Sequence, residues 1–387
     1  MGLSREVMNH FSDRPFIAIW EVTQACDLVC VHCRASAQTW RHPLELSTAE
    51  GQRLIDEVAE MQIPVFVLTG GDPLRRPDIF DLVEYAAARG VRISLTPSAT
   101  PLLTREAIGR LKARGLARLA VSLDGSHAAI HDEFRGVAGS YARTLEAIGW
   151  AHEVGLPVQI NTTITRRNFH DFEALAERMR ALDIVLWSIF FLVPTGRGRL
   201  SDLITAEEFE QLFEKIYRLS SNSPFDIKTT EAQHYRRYVL QQTALARRRH
   251  GVRSAAPLTA SPRREDGIGR APRGLNDAKG FVFISHTGEA FPSGFLPLSG
   301  GNIRRQTLAE IYRTSPLFIS LRDSSQLKGK CGECEFREVC GGSRARAFAL
   351  TGDPLAEEPC CVYQPKTQHP TNPSRSICAD VGAGAEI

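Results

Sequence analysis

Three cysteines fall within eight residues near the start of the chain: Cys26, Cys30 and Cys33 in "TQACDLVCVHCRAS", in a 387-residue sequence that holds only nine. The spacing C-x3-C-x2-C lets one loop present three thiolates to a compact inorganic object. A structural zinc ion wants four protein ligands, usually from separated cysteine pairs. An iron-sulfur cube has four irons to ligate, so three thiolates leave one iron open to a ligand that is not protein. His32 lies between two of the cysteines and could in principle complete a zinc site. On spacing alone, zinc, a redox thiol group and unconnected buried cysteines all stay open.

A second group lies far along the chain, in "KGKCGECEFREVCGGSRARAFALTGDPLAEEPCCVYQP". Cys331, Cys334 and Cys340 are followed about twenty residues later by the adjacent pair Cys360 and Cys361. Four thiolates from one segment could fully ligate zinc or a cluster. Adjacent cysteines rarely share one metal, so either Cys360 or Cys361 is the fourth ligand and the other a spectator; Cys378 reads as a spectator too. No Gly-x-Ser-x-Gly, P-loop or His-Glu-x-x-His motif supplies a conventional nucleophile or metal-bound water.

The elements that must position these thiols are legible in the hydrophobic pattern. From Phe16 to Leu192, short β-branched or apolar runs ("FIAIWEV", "PVFVLT", "VRISLT", "RLAVSL", "PVQINTTI", "VLWSIFFLV") alternate with longer amphipathic segments, the signal of β-α units around a parallel sheet. Ser47 with Glu50 makes a capping box before one helix, and Gly115 closes another. Six such units are two short of a closed eight-stranded barrel, so the fold class is α/β, a partial (β/α)6 TIM-like barrel with a small C-terminal cysteine-rich domain, its chemistry at the C-terminal strand ends. A helix, "TAEEFEQLFEKIYRLS", follows. Next comes a basic stretch from Gln241 to Leu275 with eight arginines against one Glu and one Asp, read as an irregular loop or a frayed helix and loop. "GFVFISHTGEAFPS" reads as a hairpin with Gly288 in its turn. The expected organisation is an extension over 1–15, the barrel over 16–200, a connector over 201–275, an auxiliary domain over 276–365 and a disordered tail over 366–387.

A hydrophobic content of 43% supports a real core, and a formal charge of +3 is too mild to argue for a nucleic-acid partner. No run of ~18 apolar residues reads as a membrane span, and the N-terminus does not read as a signal peptide. A cytoplasmic, reducing location is expected, where cysteines serve as ligands or buried thiols.

The three-cysteine loop after the first strand of a partial barrel resembles the radical S-adenosylmethionine (SAM) superfamily. In that family a [4Fe-4S] cluster leaves one iron to be chelated by the methionine amino and carboxylate groups of the cofactor. The companions occur in order. "TGGDP" matches a Gly-Gly-Glu type motif for the amino group, through Gly70, Gly71 and Asp72, with Asp in place of the more usual Glu. "SLDG" places Ser122 and Asp124 at the cofactor, and in "HDEFRG" the resemblance implies that Arg135 pairs with the methionine carboxylate. Residues 280–365 resemble the SPASM auxiliary-cluster domain. Ser293 stands where a full SPASM domain begins with cysteine, so one auxiliary cluster is expected, of the [4Fe-4S] type.

The run "SGFLPLSGGNIRRQTLAEIYRTSPLF" resembles the radical enzymes of haem d1 and alternative haem biosynthesis. The function so implied is reductive cleavage of S-adenosylmethionine to a 5′-deoxyadenosyl radical that abstracts hydrogen from a tetrapyrrole side chain. Electrons would come from a ferredoxin- or flavodoxin-type donor. A maturase acting on a peptide is the alternative enzyme, and a non-catalytic iron-sulfur or zinc protein the alternative of another class. A multiply carboxylated substrate calls for arginines, and Arg197, Arg199, Arg344 and Arg346 are candidates; His286 and His32 are candidate ligands for a porphyrin iron.

Overall fold

The computed structural model describes residues 11–250, 266, 268 and 274–366. Six parallel strands follow one another across a sheet: β1 (Ile17–Glu21), β2 (Val65–Thr69), β3 (Ile93–Leu95), β4 (Arg118–Ser122), β5 (Val158–Ile164) and β6 (Leu186–Phe191). Each coincides with one of the apolar runs. Helices α1 (Thr48–Glu60), α2 (Ile79–Ala88), α3 (Arg105–Ala113), α4 (Ala128–Arg135), α5 (Ser140–Glu153) and α6 (Phe172–Ala181) make the crossovers. Ser47 and Glu50 form the reciprocal capping box ahead of α1. Such a cap contributes about 1 kcal/mol.

The sheet is wider than six strands. Helix α7 (Ala206–Asn222) leads to β7 (Asp226–Thr230), which pairs parallel with β6 inside the segment expected to be a connector. Its sequence, Asp-Ile-Lys-Thr-Thr, is half-buried throughout and carries no apolar run, so hydrophobic patterning could not reveal it. Helix α8 (Tyr235–His250) then occupies the start of the basic stretch, and residues 251–265 of that stretch lie outside the described residues.

The hairpin of β8 (Phe281–Ile284) and β9 (Glu289–Phe291) forms as expected, with Gly288 at φ +88° in its turn. Instead of standing apart, β8 pairs parallel with β1, Ile17 opposite Phe281 through Trp20 opposite Ile284. The sheet therefore runs β10-β9-β8-β1-β2-β3-β4-β5-β6-β7, where β10 is Gly301–Asn302, and stays open at both ends. One apolar core continues from Trp20, Phe66 and Trp187 into Ile284, Leu308, Tyr312, Phe318 and Ala345. Past the hairpin lie α9 (Leu308–Thr314), α10 (Pro316–Arg322), α11 (Gly329–Glu333) and α12 (Arg344–Thr351). The expected tail from 367 onward, with Cys378, lies outside the described residues.

Candidate active site and second cysteine cavity

The loop after β1 carries Cys26, Cys30 and Cys33 into a cavity of about 190 Å³ at the C-terminal ends of the strands. Gly70, Gly71, Ser122 and Arg135 border the same cavity, so four of the six residues assigned to the cofactor by resemblance meet the three cysteines there. Alternation along β5 adds two that the sequence reading missed. Val158, Ile160, Thr162 and Ile164 are buried in the core, which turns Asn161 and Thr163 toward the cavity. Period-two reading of "VQINTTI" could have found them. Ser98, from the loop after β3, was missed as well; its hydroxyl lies 3.4 Å from the Cys26 sulfur and donates to the Gly71 carbonyl.

Each of the three sulfurs receives an N–H. The Leu28 amide donates to Cys26 at 3.3 Å, the Ala37 amide to Cys33 at 3.5 Å and the Arg135 guanidinium to Cys30 at 3.7 Å. Burial opposes ionisation all the same. It pushes the Cys26 thiol up to about 11 and raises Cys30, with Arg135 pulling Cys30 back. A bound cation must complete the ionisation, and the hydrogen-bond donors show that the loop is arranged for thiolates. The donor set thus fits an iron-sulfur cluster held by three cysteines. Arg135 adds a second sign: its Nε is buried in the cavity wall with no partner among the described residues.

The two carboxylates work from behind the cavity wall. Asp72 is fully buried; it accepts from the Thr100 hydroxyl at 2.7 Å and from the amides of Leu74 and Ser98. Burial pushes its pKa up to about 6. Asp124, also fully buried, accepts from the Thr163 amide at 2.8 Å and forms an ion pair with Arg135. Burial raises the Asp124 pKa against the pull of Arg135. Arg135 is held above the ordinary guanidinium range by Asp124 and Cys30, although burial opposes this.

Gly70 and Gly71 answer to the chain beside them. Backbone bonds Gly71 N to Thr23 O and Asp72 N to Ala25 O, 2.8 and 2.7 Å long, bind this turn to the start of the loop that delivers Cys26. A β-carbon on Gly71 would sit 2.5 Å from the Ala25 carbonyl oxygen. The opposite side of the cysteine loop is held by the turn after β6. The Arg197 amide donates to Cys33 O, its Nε to Cys30 O and its Nη1 to Ala37 O. Arg197 is therefore a clamp on the loop, contrary to its reading as a substrate group.

The other polar candidates are redistributed too. His286 turns Nδ1 to Glu21 at 2.9 Å and does not border the cavity. His32 borders it, with its ring 4.3 Å from that of Phe134. Arg346 is fully buried against Glu358 and the carbonyls of Leu192 and Glu231. Arg344, also buried, donates to Pro354 O and Ala356 O. Both guanidiniums are consumed inside the protein because they brace the second cysteine segment. Arg199 is exposed.

That segment forms its own cavity, bordered by Cys331, Cys334, Cys340 and Cys361, together with His234, Arg237, Lys330, Glu358 and Tyr363. Cys361 is the member of the adjacent pair that faces it; Cys360 is fully buried elsewhere. The amides of Phe336, Gly342 and Glu358 donate to Cys334, Cys340 and Cys331 at 3.4, 3.4 and 3.2 Å, and that of Tyr363 donates to Cys361. Burial raises all four thiols, Cys361 to about 12. Glu358 resists the same burial: Arg346 holds its carboxyl down near 2.

Fold and three-thiol cavity define an α/β partial-barrel enzyme of the iron-sulfur kind. Residues 20–179 match the model of the Radical SAM superfamily. The chain belongs to the radical SAM superfamily, which implies a SAM-binding [4Fe-4S] cluster and S-adenosylmethionine. Similarity to whole proteins extends beyond the barrel. The chain is 40% identical to the AdoMet-dependent heme synthase of Methanosarcina barkeri over 92% of its own length and 98% of that protein. It is 41% identical to the enzyme of the same name from Nitratidesulfovibrio vulgaris, over 91% and 93%. Among solved structures, SuiB of Streptococcus suis bound to S-adenosylmethionine shares the fold at a TM-score of 0.66 and 16% identity, covering 91% of this chain and 78% of that one. Among the described residues no helix is long and apolar enough to cross a membrane.

Proposed function

We propose that this chain is a haem-forming radical enzyme that acts on carboxylated side chains of a porphyrin precursor. The observation that carries the reading is the 40% identity to a heme synthase across 92% of the chain, far more than the barrel alone. When bound, the [4Fe-4S] cluster and S-adenosylmethionine supply a 5′-deoxyadenosyl radical that takes a hydrogen atom from the substrate.

The protein's own groups have separable tasks in this reading. Cys26, Cys30 and Cys33 hold the first cluster. Arg135, with Nε free of partners, receives the methionine carboxylate of the cofactor as a charge-assisted bond. Gly70 and Gly71 present backbone to it, and Ser122, Asn161 and Thr163 present side chains. Asp72 fixes the Ser98–Thr100 turn, and Asp124 fixes Arg135. The rings of Phe190 and Phe295, 6.2 Å apart and both on the cavity wall, offer flat apolar surface to a macrocycle.

Cys331, Cys334, Cys340 and Cys361 hold one auxiliary [4Fe-4S] cluster. All four ligands are thiolates on protein, so this cluster has no open iron and serves electron transfer. The external electron donor is a low-potential protein of the ferredoxin or flavodoxin type, and the enzyme works in the cytoplasm.

The test is anaerobic reconstitution followed by incubation with S-adenosylmethionine, a reductant and an iron porphyrin bearing propionate side chains. The expected result is 5′-deoxyadenosine whose yield rises with porphyrin, with haem detected by mass. A yield indifferent to porphyrin and raised by a peptide would transfer the assignment to the maturase reading.

A further inference from the structure

His234 is the last residue before α8, and its side chain is fully buried. It stands in the wall of the auxiliary cavity, beside Cys331, Cys334, Cys340 and Cys361. The ring is fixed laterally by Phe213, edge-on at 4.8 Å between centroids, and by Phe209 at 5.1 Å. Among the described residues neither ring nitrogen has a hydrogen-bond partner. A buried imidazole without any partner forfeits the hydrogen bonds it would make in water, so the residue is costly as it stands. Three residues on, Arg237 borders the same cavity, and its Nε is equally unpartnered although its terminal nitrogens engage Glu210 and Gln241. The residue before α8 and one in its first turn thus bring unpartnered nitrogens to the wall of a cavity that four thiols also border.

An imidazole carries at least one ring N–H whether it is neutral or protonated, so His234 has a hydrogen to give. A cluster with four cysteine ligands needs no further ligand, but its sulfurs are acceptors that gain negative charge on reduction. We propose that His234 donates its N–H to a sulfur of the auxiliary cluster and thereby raises that cluster's reduction potential. This rests on the reading that an auxiliary cluster is present. His234 is a positioning and tuning residue with no contact to the cofactor cavity, because it borders only the second of the two cavities.

The experiment uses the full chain with Cys26, Cys30 and Cys33 all replaced by Ala, so that the auxiliary cluster is the one observed. Iron counting comes first: about four irons are expected, on four per cube, and none would remove the auxiliary cluster itself, a failure of the functional reading. With iron present, pulsed EPR of the reduced cluster is recorded with natural and with 15N-labelled histidine. A weak nitrogen coupling that changes with the label is expected; no such coupling overturns the proposal. In His234→Phe, which keeps a ring between Phe209 and Phe213, the coupling should vanish and the midpoint potential should become more negative with the irons retained. Phe213→Leu, which alters packing and leaves the donor, should not shift the potential in that direction. An unchanged potential in His234→Phe overturns the proposal. Loss of iron there overturns it as well, since the histidine would then be a ligand. The labelled spectrum of the unsubstituted residue decides the matter should His234→Phe not fold.

Discussion

Gly196 stands so close to Cys33 that a β-carbon on it would lie 2.4 Å from the Cys33 carbonyl oxygen, and its φ of +60° already favours glycine. The turn after β6 thus presses directly on the backbone of the first cysteine loop, and Arg197 next to it ties down Cys30, Cys33 and Ala37. Gly196→Ala should push this loop out of place. Iron after reconstitution should fall from about eight per chain toward about four, on four irons per cube, with the auxiliary cluster retained. Full iron in the variant would mean that the loop tolerates the displacement.

Cys361 and Cys360 are neighbours in sequence with different surroundings, one on the auxiliary cavity and the other buried outside its wall. Cys361→Ala should lose auxiliary iron, whereas Cys360→Ala should keep about eight irons. Iron and sulfide counts on the two variants check this directly, and equal losses would refute the distinction.

Removing Arg135 leaves Asp124 buried with no charged partner. Breaking a buried pair from one side costs about 3–5 kcal/mol, so Arg135→Met should destabilise the iron-free chain by roughly that amount. Adding Asp124→Asn should recover most of the loss. Urea unfolding of the single and double variants measures both steps, and additive losses would show that the pair is not coupled.

Asp72 titrates near 6 in the folded protein, above its ordinary value of 3.8, because burial disfavours the carboxylate. The folded state therefore binds more protons than the unfolded state between about pH 4 and 6. Its contribution to stability is fully present below that window and is lost as pH rises through it. At neutral pH the ionised group costs on the order of 2–3 kcal/mol. Asp72→Asn should accordingly fare better relative to wild type at pH 7 than at pH 4.5, by urea unfolding of iron-free protein. A difference independent of pH would contradict the shift.

The six strands from Ile17 to Phe191 were legible because each is a short apolar or β-branched run bounded by turn residues; β3 is buried on both faces, while β5 alternates between core and cavity. Strand β7 was not, because an edge strand of Asp, Lys and Thr carries no such signal. The cysteines announced the site through spacing, and alternation along β5 carried Asn161 and Thr163, while Ser98 became visible only once the strand ends met. Arginine illustrates the limit best. Arg135, Arg197, Arg344 and Arg346 are alike in sequence, yet one faces the cofactor cavity, one clamps a loop and two brace a buried segment. Which carbonyls or carboxylates a guanidinium meets depends on contacts up to 167 residues away, and composition does not encode them. His234 was hidden for the same reason.

The parallel pairing of β8 with β1 has a consequence for how the chain is made. One flank of β1 needs a neighbour that emerges from the ribosome about 260 residues later. At roughly 5–20 residues per second that is a wait of some tens of seconds, during which an open row of amides and carbonyls is available to any passing strand. The cysteine loop that follows β1 shares this interval in a nascent chain still lacking the Phe283 ring and the Gly294 carbonyl that Arg34 of the loop meets. A gene truncated before residue 281 would make the interval permanent, so the C-terminal segment shields the N-terminal strand from self-association as well as supplying thiols.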